Sequence, residues 1–346
     1  MDCIVKPGVK VLLLAIGGGG DIASTAMIAR SLLNLGAKYV LASIAWERYI
    51  HDPIPGPIKL DEIQECTSRG EHYVVITGNS YAIRGGKKVV FQAAKVARLL
   101  GETIYIIDLY GGVEGYVSAL KEISSREGVD LVVGVDVGGD SLATGCEENL
   151  WSPLADWVGL ASLSRVSGVI AIHSPGSDGE LTQDYLLEKI DEYARKGGLL
   201  AARSMCREDA EFLDEILKYV DSEASRIPLL AYRGVRGAVE LRMGSRSVKS
   251  TLLSTFTFFL DARLIAEYVE PVKAIYYTKS LEEVRGVLNS YGIYTELDLE
   301  EDLFKTGVRP GGLTGEFLME IRKRGLARVR SGATRSYCVE CKGRCT

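Results

Sequence analysis

Along most of the chain, short β-rich apolar runs alternate with longer stretches whose apolar positions recur at helical spacing. That alternation is the pattern of βαβ units on a mostly parallel sheet. The runs Val11 to Ile16, Tyr39 to Ile44, His72 to Ile76, Thr103 to Ile107, Leu131 to Val135 and Val169 to Ile172 predict strands. Helices are predicted at Ile22 to Leu35, Lys88 to Leu100, Tyr116 to Glu127 and Pro153 to Ser164, and at Gln183 to Lys196, which stops at Gly197-Gly198. After Pro228 the texture changes. A strand at Ala238 to Met243 and a long helix at Ser250 to Tyr268 precede the run Lys273 to Thr278 and two charged helices. The expected architecture is a Rossmann-like α/β domain over 1–228, its mostly parallel sheet covered by helices on both faces. A smaller C-terminal α/β extension over 229–330 and a cysteine-containing tail over 331–346 follow it. The soft boundary falls near Arg226 to Gly237, and whether the extension continues the first sheet is left open.

Composition narrows the function classes. The 346 residues are 47% hydrophobic, enough for a large core, and the net charge of −5 offers no basic excess. No Lys/Arg run tracks a helix face, so nucleic acid is not expected as a partner. The run Val11 to Ile16 is far too short to span a bilayer, and Met1 to Lys10 lacks the apolar stretch of a signal peptide. Seven cysteines without regular pairing do not make a secreted disulfide scaffold, so a cytoplasmic protein, not bound to membrane, is expected. Three Gln and four Asn in the whole chain fit a thermophilic source.

Three loops carry the candidate chemistry. Gly17-Gly18-Gly19-Gly20-Asp21 follows an apolar strand and opens a helix, the place where ligands meet backbone N–H groups in an open α/β sheet. Four glycines in a row allow positive φ and close backbone approach. Gly134-Val135-Asp136-Val137-Gly138-Gly139-Asp140-Ser141 has the same grammar, with two aspartates four residues apart across a glycine bend. A third strand ends in Asp108, followed by Gly111-Gly112 and Glu114; Glu147 and Asp156 lie beyond the second loop. Carboxylates gathered in one crevice repel and desolvate one another unless a cation compensates them. Asp21, Asp108, Asp136 and Asp140 are therefore candidate ligands of Mn²⁺ or Mg²⁺, the hard ions that oxygen donors select. The bland alternative is a set of helix caps and turns.

Phosphate could lie on Gly18, Gly19 and Gly20, with Gly138, Gly139 and Asp178 nearby and Arg48 as a clamp leaving the second strand. The proline-rich stretch Asp52 to Pro57 follows that arginine, and His173 to Glu180 leaves the sixth strand. Gly18, Gly20 and Ala23 also fit a dinucleotide turn, with Glu47 where a ribose-binding acid would stand. Against it, Asp21 places a carboxylate inside a turn meant for pyrophosphate. Arg203, Arg233, Arg236 and Arg246 could add charge for a phosphate, with surface ion pairs as the plainer reading. The tail holds Cys338, Cys341 and Cys345 at C-x-x-C-x-x-x-C spacing, suited to zinc or a disulfide.

Jointly, Gly17 to Asp21, Ala45 to Tyr49, Gly134 to Leu142, Ser152-Pro153 and Pro175 to Leu181 resemble the domain-of-unknown-function family 1152, frequent in archaea, over about Val9 to Gly325. The resemblance implies a Rossmann-like α/β sandwich, and a manganese-dependent phosphatase whose acidic, metal-lined cavity includes Asp21, Asp108, Asp136 and Asp140. The cysteine tail is no part of that pattern. The function expected is metal-dependent hydrolysis of a small phosphorylated metabolite or nucleotide, with Asp136, Asp140 and Asp21 catalytic, in a homo-oligomer. The rivals are a nucleotide-binding oxidoreductase and a non-enzymatic ligand sensor.

Overall fold

The computed structural model describes residues 3–49, 51–52, 54–309 and 312–335. In chain order, β1 (Lys10–Ala15), α1 (Ile22–Leu33) and β2 (Lys38–Ser43) form the first unit. The proline-rich stretch then leads into β3 (Ile63–Gln64), β4 (Ser68–Arg69), β5 (Tyr73–Ile76), β6 (Tyr81–Arg84) and β7 (Lys87–Val89). Next come α2 (Gln92–Leu100), β8 (Ile104–Ile107), α3 (Gly112–Glu127), β9 (Leu131–Val137), α4 (Pro153–Arg165), β10 (Val169–His173), α5 (Gln183–Arg195), β11 (Leu199–Ser204), α6 (Arg207–Ile216) and α7 (Glu223–Tyr232). A hairpin of β12 (Gly237–Leu241) and β13 (Arg246–Ser250) precedes β14 (Phe256–Asp261). Five helices end the described chain: α8 (Ala262–Tyr268), α9 (Glu270–Ala274), α10 (Leu281–Ser290), α11 (Glu296–Lys305) and α12 (Gly315–Ser331).

Nine strands make one central sheet in the order β11-β14-β10-β9-β1-β2-β8-β5-β4. The five strands β10, β9, β1, β2 and β8 run parallel, and the strands at both flanks pair antiparallel. The parallel strands are apolar on both faces because both are covered. Leu12 and Leu14 of β1 pack with α3, α4, α5, α8 and α10 on one side. Val11, Leu13 and Ala15 pack with α1, α2 and α6 on the other. This is the expected Rossmann-like α/β arrangement.

Beyond β1 the chain builds outward through β2 to β8, then returns to lay β9 and β10 on the opposite side of β1. The strand order therefore reverses between β1 and β9. In an open parallel sheet the loops diverge at such a point and leave a crevice beyond the carboxyl ends of the strands.

Two segments depart from the pattern reading. The stretch expected as a helix from Ser250 to Tyr268 is split: Phe256–Asp261 is a strand and only Ala262–Tyr268 is helical. Three of the six residues are phenylalanines, which favour strands, Phe256 to Phe259 alternate half-buried and buried positions, and the strand pairs with β10 and β11 at once. β14 thus places the C-terminal extension inside the central sheet. The run Lys273 to Thr278 is the end of α9 and a turn. The tail cysteines lie outside the described residues. Among the described residues no helix is long and apolar enough to cross a membrane.

Candidate functional site

The loops at the switch point enclose a cavity of about 280 Å³. Its floor is the loop after β1, where Gly19 donates to the Trp46 carbonyl at 2.9 Å and ties the loop to the end of β2. None of the four glycines takes a positive φ, contrary to expectation. They are needed because side chains crowd them. A Cβ on Gly17 would lie 2.4 Å from Asp21 Oδ2, and one on Gly19 2.7 Å from Glu47 Oε1. Asp21 does not cap α1. Its Oδ2 accepts from the Val137 N–H at 3.2 Å, turning the carboxylate toward β9.

The loop after β9 folds back on Asp136, whose Oδ1 accepts from Gly139 N–H and whose Oδ2 accepts from Ser141 N–H, both at 2.9 Å. The Ser141 hydroxyl also donates to Oδ2. Here positive φ is required: +133° at Gly138 and +113° at Gly139. Gly138 N–H is bonded to the His173 carbonyl. With both amides engaged, Gly138 and Gly139 shape the loop and do not offer donors to a phosphate, which corrects the sequence expectation. Asp140 follows and accepts from the Ser152 hydroxyl at 3.3 Å. Asp156, in the first turn of α4, completes the near group.

Two sets of three buried carboxylates result: Asp21, Asp136 and Asp156, and beside them Asp140, Asp178 and Glu180. Within each set one oxygen per residue lies within 4.8 Å of the others. Asp140 Oδ1 and Asp156 Oδ1 are buried and have no hydrogen-bond partner among the described residues. Burial above all, and then mutual repulsion, pushes Asp21, Asp140 and Asp156 well above the ordinary carboxylate range. Burial and Glu180 push Asp178 up to about 6. Glu180 differs. Burial works against its charge, but the Arg246 guanidinium at 2.9 Å, Ser152 Oγ at 2.5 Å and the Trp151 and Ser152 N–H groups hold it below the ordinary value. A hard divalent cation fits what the other carboxylates lack: the donors are all oxygen, and buried ones among them are vacant.

The facing wall comes from the segment after β2 and from α11. Glu47 lines the cavity, but its two oxygens accept from Gln92 N–H and Nε2, each at 3.0 Å. These bonds tie its carboxylate to the start of α2. Arg48 is partly buried and, among the described residues, has no ion-pair partner within reach. Burial opposes its charge, while Glu296, Glu300, Glu180 and Asp156 hold its pKa above the ordinary value. From α11, Glu296 accepts from Leu154 and Ala155 N–H at the start of α4, and Glu300 accepts from Trp46 Nε1.

Several sequence candidates lie elsewhere or are otherwise engaged. Asp108 follows β8, two strands from β1, and does not line the cavity. It accepts from Tyr110 and Gly111 N–H and so shapes the turn into α3. His173 is buried against Thr257, and burial pushes it down to about 3, a structural histidine. Arg203 pairs with Asp209, Arg233 with Asp214, and Arg236 donates to backbone carbonyls, so of these only Arg246 reaches the cavity. Glu114 pairs with Arg165, and Glu147 caps the turn at Thr144. Glu296, Glu300 and Arg242 were not foreseen. The only trace in the chain is the i, i+4 spacing of the two glutamates.

Fold and site together define an α/β protein with an acid-lined crevice at the switch point of its sheet. Residues 12–304 match the family described as Protein of unknown function (DUF1152), and the chain belongs to that family. No curated protein and no solved structure matches the chain.

Proposed function

We propose that this protein is a divalent-metal-dependent phosphoester hydrolase acting on a small phosphorylated metabolite. One observation carries the reading: two buried carboxylate triads with vacant oxygens stand across one cavity from an arginine that has no ion-pair partner among the described residues. A cavity that only bound an anion would not gather six acids, and one that only bound a metal would have no use for Arg48.

Asp21, Asp136 and Asp156 would hold Mn²⁺ or Mg²⁺, with Asp140 and Asp178 as a second set of oxygens. When bound, such an ion supplies an activated water and neutralises phosphoryl charge. Arg48 orients the phosphoryl group through charge-assisted hydrogen bonds. Asp136, locked by Gly139 and Ser141, keeps its carboxylate fixed for that task, and Glu180, neutralised by Arg246, anchors the loop carrying Asp178.

The test is phosphate release from an aryl phosphate with and without added Mn²⁺, in the native chain and in Asp156→Asn. Asp156 is the informative position because, unlike Asp136, its carboxylate accepts no local hydrogen bond whose loss would disturb the loop. Mn²⁺-dependent release that disappears in Asp156→Asn supports the reading. Metal-independent release, or none in either protein, contradicts it.

A further inference from the structure

We propose that the cavity holds two divalent cations unequally: a tight one on Asp21, Asp136 and Asp156, and a weaker, exchangeable one between Asp140 and Asp178, with Glu180 behind them. This rests on the reading of the first triad as a metal site and adds a second ion to it.

Two loops tied together assemble the second set. The loop after β10 starts at Ser174, which is buried and held at φ +53°, a conformation that L side chains rarely adopt. Gly176 N–H then donates to the Gly138 carbonyl at 2.7 Å and draws this loop onto the one that carries Asp140. Asp178 Oδ1 accepts from the Glu180 N–H at 3.0 Å, and a Cβ on Gly138 would lie 2.4 Å from its Oδ2. Gly138 is thus the counterpart of Gly17, where a Cβ would lie equally close to Asp21 Oδ2: each glycine leaves room for one carboxylate oxygen. Strain and close approach spent on presenting one carboxylate fit a ligand-binding loop better than a plain connection.

Asp140 supplies the independent observation. It is only 3% exposed, and its Oδ1 has no hydrogen-bond partner among the described residues. The groups it faces, Asp178 and Glu180, are acceptors like itself. One shared proton would satisfy a single pair of these oxygens, whereas a divalent cation satisfies all of them.

The inequality follows from charge. Glu180 has both oxygens engaged, by Arg246, by Ser152 and by the Trp151 N–H. A cation at the second set therefore meets two uncompensated carboxylates, and one at the first triad meets three. With fewer protein ligands, the second ion keeps more of its positions for water and for phosphoryl oxygens. Two ions in one crevice can then share a phosphoryl group between them.

The test reads binding, so that it does not depend on turnover. Mn²⁺ is titrated into the chelated full chain by calorimetry, with electron paramagnetic resonance spectra recorded at each equivalent. Two steps are expected, the second weaker by roughly tenfold or more, and the hyperfine-split signal of an isolated ion should collapse into a broad spin-coupled one as the second ion binds. Asp178→Asn should remove the second step and keep the first. Asp140→Asn, which retains an acceptor for Ser152, should do the same. A single step in the native chain up to millimolar Mn²⁺, a second equivalent that leaves the signal of isolated ions unchanged, or loss of both steps in variants that still melt cooperatively overturns the inference. Phosphate release from an aryl phosphate, measured in parallel, separates the two readings. Two coupled ions without release keep the pair and remove the hydrolase reading, and release with one ion per chain does the reverse.

Discussion

Asp156 shows why one residue can report on the whole site. It is buried among Asp21, Asp136 and Glu296, and its Oδ1 has no partner. In chelated protein Asp156→Asn removes a like charge, so its Tm should rise by several degrees, while the Tm increase that Mn²⁺ gives the native chain should vanish. A lower Tm in the chelated variant would mean that the carboxylate is structural. Gly17→Ala places a Cβ against the Asp21 and Asp156 oxygens, and Mn²⁺ affinity should fall with little change in fold. Arg48→Met should raise KM about 10- to 100-fold, the worth of charge-assisted hydrogen bonds to a phosphate, and an unchanged KM would exclude the arginine from substrate contact. Asp21, Asp136 and Asp140 were legible because glycines flank them in strand-end loops. Glu180 stood within a motif but unmarked by it, and Asp156 was noted only as lying beyond the second loop. Glu296 and Glu300 come from 140 or more residues away on a helix that resembles any charged helix. Asp108 had the right local grammar on a strand too far from the reversal, which only the sheet order shows.

At the scale of elements, Asp52 and the segment from Ile54 to Pro57 depend on one cation. Arg84 is buried and reaches Asp52 and Glu62 at 2.7 Å and the carbonyls of Ile54, Gly56 and Pro57. Arg84→Met would strand the fully buried Asp52 charge and should cost about 3 to 5 kcal/mol in urea unfolding, since one member of a buried pair is removed. A loss under about 1 kcal/mol would show that the loop is held otherwise. The parallel strands and their helices were readable from periodicity to within a few residues. β14 was not, because Phe256–Asp261 sits between helical-looking neighbours, and its partners β10 and β11 are both distant in sequence.

For the molecule as a whole, the cavity is a store of unfavourable charge that folding tolerates. Burial, outweighing the Gln92 hydrogen bonds, pushes Glu47 up to about 7; burial, outweighing the backbone donors and Arg48, does the same for Glu296. Their folded values lie above the ordinary 4.5, so at these two glutamates the folded state binds more protons and loses stability as pH rises from about 4.5 to about 7, against a smaller opposing gain up to about 6.5 from His173, which burial pushes down to about 3. Asp21, Asp140 and Asp156 act in the same direction. Chelated protein should thus melt several degrees lower at pH 7.5 than at pH 5, and saturating Mn²⁺ should reduce the difference. A Tm that rises with pH in chelator would contradict this account of the cavity. The central claim is tested most directly by the manganese content of the native chain and of Asp156→Asn after loading and desalting, determined by mass spectrometry. At least one Mn²⁺ per native chain and none in the variant is the predicted result; equal content in both, or none in either, contradicts it.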